Sequence, residues 1–186
     1  LQKQIRFTIM DIIGLYNSNL REVTAIQFSK SVDYALHALI HLAHSERDQN
    51  IGIKELSATL GVSESYLSKI MSKLRQDGIV RAVPGVNGGY ELAKQADQIT
   101  FLEVIQVIEG RQQLFECSNL NSRQHRLLAE EKAAKMHEDN PRECVCLVKQ
   151  VMDGAERQLY QYLEEQTIQS VLDAASKRGS CAENKK

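Results

Sequence analysis

The expected fold is mainly α-helical with a small β-hairpin wing: a winged helix-turn-helix head followed by a long C-terminal helix. Three stretches carry that expectation. Residues 53–76 hold two short amphipathic segments separated by a tight turn. Residues 79–92 alternate on either side of Pro84-Gly85-Val86-Asn87-Gly88-Gly89, dense turn chemistry between two β-prone runs. From residue 144 to 165, Val148, Val151, Met152, Ala155, Leu159, Tyr162 and Leu163 recur at helical spacing.

Taken in order, residues 1–25 read poorly as part of the fold. The apolar run from Phe7 to Tyr16 is broken by Asp11, and no small-residue cleavage site follows, so no signal peptide is expected. The segment is either an extension or tag, or a helical arm on a partner. The first helix of the head spans 29–43, with Val32, Ala35, Leu36, Leu39 and Leu42 on one face and Ser29 placed to cap it. His37 and His41 stand four apart, the spacing of a metal pair, but lack a suitably spaced carboxylate or cysteine; solvated or core-edge histidines are the simpler reading.

Ile53, Leu56 and Leu60 line one face of the next helix, and Gly61 ends it. Ser63 is an N-cap for the helix that follows, where Leu67, Ile70, Met71 and Leu74 form the buried stripe. The opposite face carries Ser65, Ser68, Lys69, Ser72, Lys73 and Gln76: hydroxyls, an amide and cations, without a carboxylate. Such a second helix fits the DNA major groove, and a hairpin directly after it reaches the phosphate backbone or the minor groove. Residues 63–83 set Lys69, Lys73, Arg75 and Arg81 against Glu64 and Asp77, a net charge of +2. That modest footprint suits a protein that doubles its contacts by pairing. A trihelical module that binds protein instead of DNA is the rival reading.

After the wing, Thr100 and Glu103 have the spacing of a capping box ahead of Phe101, Val104, Ile105 and Ile108, and Gly110 stops the helix. Residues 118–142 show little periodicity. A short helix is expected to start at 167–172, and 177–186 is expected to be a flexible polar tail.

The net charge of −1 removes any global attraction to nucleic acid, so contacts must come from local patches. No apolar run is long enough for a membrane span. Four cysteines in a helical chain without a secretory signal point to a reducing cytoplasm. No nucleophile–base pattern, phosphate loop or carboxylate pair appears, so no enzyme is expected.

Three blocks in order, Phe28-Ser29-Lys30-Ser31-Val32-Asp33-Tyr34-Ala35-Leu36, Tyr66-Leu67-Ser68-Lys69-Ile70 and Gly85-Val86-Asn87-Gly88-Gly89-Tyr90, resemble the bacterial Rrf-two family of winged-helix transcription regulators. The likeness runs from about Ile26 to Ser176 and is strongest up to Gly110. It implies a homodimer in which the long helix crosses its twin, against the alternative of packing within one subunit. It places Ser65, Tyr66, Ser68 and Lys69 at the DNA-facing start of the recognition helix, and Gly88, Gly89 and Tyr90 in the wing. With the residue reading, the expected DNA-binding set is Ser63, Ser65, Tyr66, Ser68, Lys69, Ser72, Lys73, Arg81, Asn87, Gly88, Gly89 and Tyr90. Pro84 and Ser68-Lys69 stand where relatives carry other residues, so the operator sequence does not carry over.

The organisation expected is an extension at 1–25, the head at 26–110, a sensor region at 111–143, the dimerisation helix region at 144–176, and the tail. Cys117, Cys144 and Cys146 lie between head and long helix; Cys181 is in the tail. Iron–sulfur members of the family group three cysteines in a short loop, whereas here 26 residues separate Cys117 from Cys144. Three readings stay open: a thiol redox switch, an iron–sulfur or zinc site with His125 or His137 as a further ligand, or plain buried cysteines. The function expected is a homodimeric DNA-binding regulator, a repressor, acting on a pseudo-palindromic operator on double-stranded DNA.

Overall fold

The computed structural model describes residues 27–45, 50–85, 88–111, 113–118, 122 and 146–183, with side chains as far as residue 177. Among these residues there are six α-helices and one two-stranded hairpin: α1 (Lys30–His44), α2 (Ile53–Leu60), α3 (Glu64–Gln76), β1 (Val80–Val83), β2 (Gly89–Leu92), α4 (Phe101–Glu109), α5 (Leu147–Glu165) and α6 (Ile168–Glu183). A 3-10 turn at Ala96–Gln98 precedes α4.

Helix α1 is the centre of the head. Its Val32, Ala35, Ala38, Leu39 and Leu42 are buried, and α2, α3, α4, α6 and β2 all pack against it. The two alanines are fully buried, and side chains that small let neighbouring helices approach closely. Ser29 stands at the N-cap of α1, yet its hydroxyl makes no capping bond. Its backbone amide instead donates to Glu109 Oε1 at 2.6 Å, tying the start of α1 to the end of α4.

The helix-turn-helix forms as its punctuation dictates. Gly61 takes the left-handed conformation (φ 64°) that ends α2, and Ser63 Oγ accepts the Tyr66 amide at 3.4 Å to start α3. Leu67, Ile70, Met71 and Leu74 are the buried stripe of α3. Strands β1 and β2 pair antiparallel, with Val80 opposite Leu92 and Val83 opposite Gly89. The hairpin is pinned to the head by a bridge between Ile51 and Tyr90, two N–H···O bonds of 2.9 Å.

Thr100 caps α4 by accepting the Glu103 amide at 3.1 Å. The reciprocal half of the expected box does not form, because the Glu103 carboxylate accepts from Lys94 at 2.5 Å. An ion pair outcompetes a bond back to one neutral amide.

The C-terminal helices are fastened to the head beside the same cap. The Phe101 amide donates to the Gln166 carbonyl (2.9 Å) and Ile168 to the Ile99 carbonyl (3.0 Å), with Ile168 fully buried. Thr167 and Ser170 exchange backbone-to-hydroxyl bonds of 3.1 and 3.2 Å at the start of α6. This is a capping box with Ser in the place usually held by Glu or Gln. Thus capped and anchored, α6 continues to Glu183, so residues 177–183 are helical where a flexible tail was expected. Helix α5 begins at Leu147, three residues later than expected, with Cys146 as its N-cap.

Candidate nucleic-acid interface and thiol pair

The outward face of α3 and the hairpin form one side of the head. Ser63, Ser65 and Lys69 are exposed, and Ser68 and Ser72 are half-buried between them. Short hydroxyls leave room for a DNA backbone to come close, and Lys69 adds an ammonium that reaches a phosphate or a guanine edge. Arg81 on β1 is exposed and pairs with Glu91, its cross-strand neighbour, at 2.6 Å. That pair would have to loosen before Arg81 met a phosphate.

Several residues of the expected interface have work inside the protein. The Tyr66 ring packs edge-on against Tyr34, with centroids 5.9 Å apart, and its hydroxyl lies 2.7 Å from Ser31 Oγ. Tyr66 therefore fastens the start of α3 to α1. The Lys73 ammonium donates to the Ile108 carbonyl at 2.7 Å. A cation there suits the negative end of the α4 dipole and joins α3 to the end of α4.

The wing glycines are dictated by close backbone approach. A Cβ on Gly89 would lie 2.5 Å from the Ile51 carbonyl oxygen, and one on Gly88 would lie 2.5 Å from that of Val83. Tyr90 is half-buried and supplies backbone to the Ile51 bridge. Asn87 lies outside the described residues. Only the Ile51 contact could not have been foreseen from the turn itself, since no local pattern links residue 51 to residue 89.

Away from this face, two thiols meet. Cys117, in the stretch after α4, and Cys146, at the N-cap of α5, bring their Sγ atoms to 3.6 Å, both side chains buried. The Cys146 sulfur accepts the Lys149 amide at 3.4 Å. That bond, with smaller help from the Cys117 S–H, the Val148 amide and the Lys149 charge, holds the Cys146 pKa below the ordinary thiol value despite the opposing cost of burial. Cys144, His125 and His137 lie outside the described residues.

An iron–sulfur cluster or zinc ion needs three or four convergent donors. Among the described residues no group of three His, Cys, Asp or Glu side chains is placed to hold a metal, so Cys117 and Cys146 are at most a partial ligand set. His37 Nδ1 lies 2.9 Å from the Asp33 carbonyl oxygen and 3.1 Å from its carboxylate. Its neighbour His41 has a buried Nε2 with no partner, which does not amount to a metal pair.

Along α5 the apolar stripe is divided. Leu163 is buried and Leu159 packs against the core, whereas Leu147, Val148, Val151, Met152 and Tyr162 are exposed, Val151 by 71% and Val148 by 58%. Among the described residues no helix is long and apolar enough to cross a membrane.

Comparison with known proteins gives this geometry a context. Residues 28–174 match the family model Rrf2, described as an iron-dependent transcriptional regulator. The regulator NsrR of Halalkalibacterium halodurans is 27% identical over 151 residues, which cover 79% of this chain and 90% of that protein. Among solved structures, the global cysteine regulator CymR of B. subtilis superposes with a TM-score of 0.57 at 24% identity, covering 81% of this chain and 98% of that one. IscR of T. potens gives a TM-score of 0.58 at 22% identity, with coverage of 81% and 89%. The family match spans the head, the connecting region and the start of α6, and both solved relatives share the architecture: the chain belongs to the Rrf2 family of transcriptional regulators.

Proposed function

We infer that the chain acts as a homodimeric, sequence-specific DNA-binding repressor whose affinity for its operator follows the state of its cysteines. The observation that carries the DNA reading is the outer face of α3, where Ser65, Ser68, Lys69 and Ser72 offer hydroxyls and a cation, and no carboxylate, beside a hairpin rigidly bridged to Ile51. Pairing is supported by the exposed side chains of Leu147, Val148, Val151, Met152 and Tyr162, which one chain leaves in water. It is supported again by arithmetic, since a net +2 recognition segment gains most from engaging two half-sites. A two-fold dimer presents two copies of α3, so the operator is expected to be pseudo-palindromic, its half-sites about one DNA turn apart or a multiple of it. Bound across a promoter, such a dimer represses by exclusion.

The test is selection of bound sequences from a random duplex library, followed by titration of the winner at several salt concentrations. A two-fold-symmetric site bound much more tightly than scrambled DNA is expected. Equal, weak binding to every duplex would favour use of the winged helix in protein–protein assembly.

A further inference from the structure

The two buried thiols are placed for chemistry with each other. Their sulfurs are 3.6 Å apart, and a disulfide bond is about 2.05 Å long, so closure needs a movement of about 1.5 Å. Side-chain rotation and a small shift of the stretch after α4 can supply it. The two partners are not equivalent. Cys146 caps a 19-residue helix and receives the Lys149 amide on its sulfur, whereas Cys117 lies in an irregular stretch ahead of that helix. A sulfur at a helix N-terminus is stabilised as the thiolate, the form that attacks.

We propose that Cys117 and Cys146 form an intrachain dithiol–disulfide switch oxidised by small hydroperoxides, with Cys146 as the attacking sulfur and Cys117 as the resolving one. This rests on the regulator reading above only for its effect on DNA. The Cys146 thiolate attacks a peroxide oxygen; an S–O bond forms, the O–O bond breaks, and the departing alkoxide or hydroxide takes up the proton that Cys146 had released. Cys117 sulfur then attacks the sulfenic sulfur; the S–S bond forms, the S–O bond breaks, and the leaving hydroxide combines with the Cys117 proton as water. The two thiols lose two electrons and the peroxide gains them.

Burial selects the oxidant. Cys117 and Cys146 are 8% and 9% exposed, an opening suited to hydrogen peroxide and poorly suited to a bulky disulfide such as oxidised glutathione. The bond would tie the first turn of α5 to the stretch after α4. The exposed Val148 and Val151 follow within two turns, so the bond acts at the start of the face proposed to pair. A coupling of this kind typically changes affinity about 5- to 150-fold.

The experiment uses the full chain, reduced and freed of metal by chelation, then treated with stoichiometric hydrogen peroxide. Free thiols are alkylated, peptides are mapped by mass spectrometry, and operator affinity is measured on the same samples. Expected are a loss of two thiols per chain, one 117–146 disulfide, no covalent dimer, much slower reaction with oxidised glutathione, and operator affinity changed at least fivefold. A C117S variant should accumulate a dimedone-reactive sulfenic acid at Cys146, and C146S should show far less at Cys117. Circular dichroism checks that both variants fold, and C117A serves in place of C117S if serine is not tolerated. A 117–144 disulfide, a bond between chains, thiols untouched by peroxide, or a tightly held metal that consumes both thiolates would overturn the pairing. Equal operator affinity in both states would overturn its regulatory role. A correct disulfide in a protein that binds no duplex in either state would leave the switch standing and refute the DNA reading.

Discussion

Replacing Val151 by Glu is the sharpest probe of the proposed pairing of two copies. Val151 is 71% exposed in one chain, so it contributes little to that chain's own core and much to any face that covers it. Burying a whole valine side chain is worth about 1.5 kcal/mol at the lower end. The exposed part of Val151 therefore gains about 1 kcal/mol per copy, or about 2 kcal/mol across a two-fold interface. Glu removes that gain and also brings two carboxylates out of water near the two-fold axis, a desolvation of several kcal/mol without a compensating cation. A combined loss of at least about 4 kcal/mol raises the dimer dissociation constant by about 1,000-fold or more. The fold of the single chain should change little, because Glu is a good helix former at a solvated position.

Sedimentation equilibrium of the variant, with circular dichroism as the control, should give a folded monomer at micromolar concentration. Operator binding should fall with it. A variant that remains dimeric and binds its operator normally would refute the placement of the seam along Val148 and Val151. Leu159 is a poorer site for the same test: it packs against the core, so Glu there would damage the single chain and confuse unfolding with dissociation.

Lys69 and Lys73 should respond differently to alanine. Lys69→Ala should weaken operator binding and flatten the salt dependence by about one unit of slope per half-site, whereas Lys73→Ala should cost about 1 kcal/mol of stability by stripping the cation from the Ile108 carbonyl; thermal melts beside DNA titrations separate the two. Gly89→Ala should destabilise the head by about 1–3 kcal/mol and loosen the wing, because its Cβ meets backbone at 2.5 Å and not a yielding side chain; a chemical denaturation curve unchanged from the parent would contradict the Ile51 anchor. The rate of Cys146 alkylation should reach half its maximum at lower pH in the folded chain than in denaturant, because the Lys149 amide favours the thiolate. With the folded pKa the lower one, this ionisation adds stability above the unfolded value and loses it as pH falls through the folded value. Coincident midpoints, read by mass spectrometry at this cysteine, would count against the bond.

What the sequence made legible was local. Gly61, Ser63 and Thr100 act within four residues of themselves, and each does what its position implies: a left-handed helix end and two side-chain caps. One failure came where a distant group competed for the same atom: Glu103 was expected to turn back on its own helix but is held by Lys94. Ser29 stands at the N-cap of α1 without a side-chain capping bond, and its amide meets Glu109, 80 residues away. Tyr66 was placed in the interface by the family resemblance and Lys73, which is indeed exposed, by helical spacing. Their long side chains curl toward Ser31 and Ile108, contacts that no periodicity encodes. The start of α6 at Thr167 was legible, but its length was not: the helix runs to Glu183, through residues read as a polar tail.

The same long-range bonds explain how a small head could answer to chemistry elsewhere in the chain. Lys73 joins α3 to the last turn of α4, and Glu109 in that turn holds the start of α1. Cys117 lies eight residues beyond Glu109 and touches the cap of α5, while α5 itself packs against α4. A shift at the thiol pair therefore meets α4 from two directions, through the chain that leaves it and through the helix lying on it. Helix α4 in turn has a direct polar link to the recognition helix. The polar links of Lys73 and Glu109 and the Cys117–Cys146 contact are each short, and each is removed by a single substitution. Coupling carried this way should weaken when Lys73 is replaced even if the disulfide still forms, whereas coupling carried only by relative tilting of two heads should not. Measuring the ratio of reduced to oxidised operator affinity in Lys73→Ala protein decides between them: a ratio near one supports transmission through α4, and an unchanged ratio rejects it.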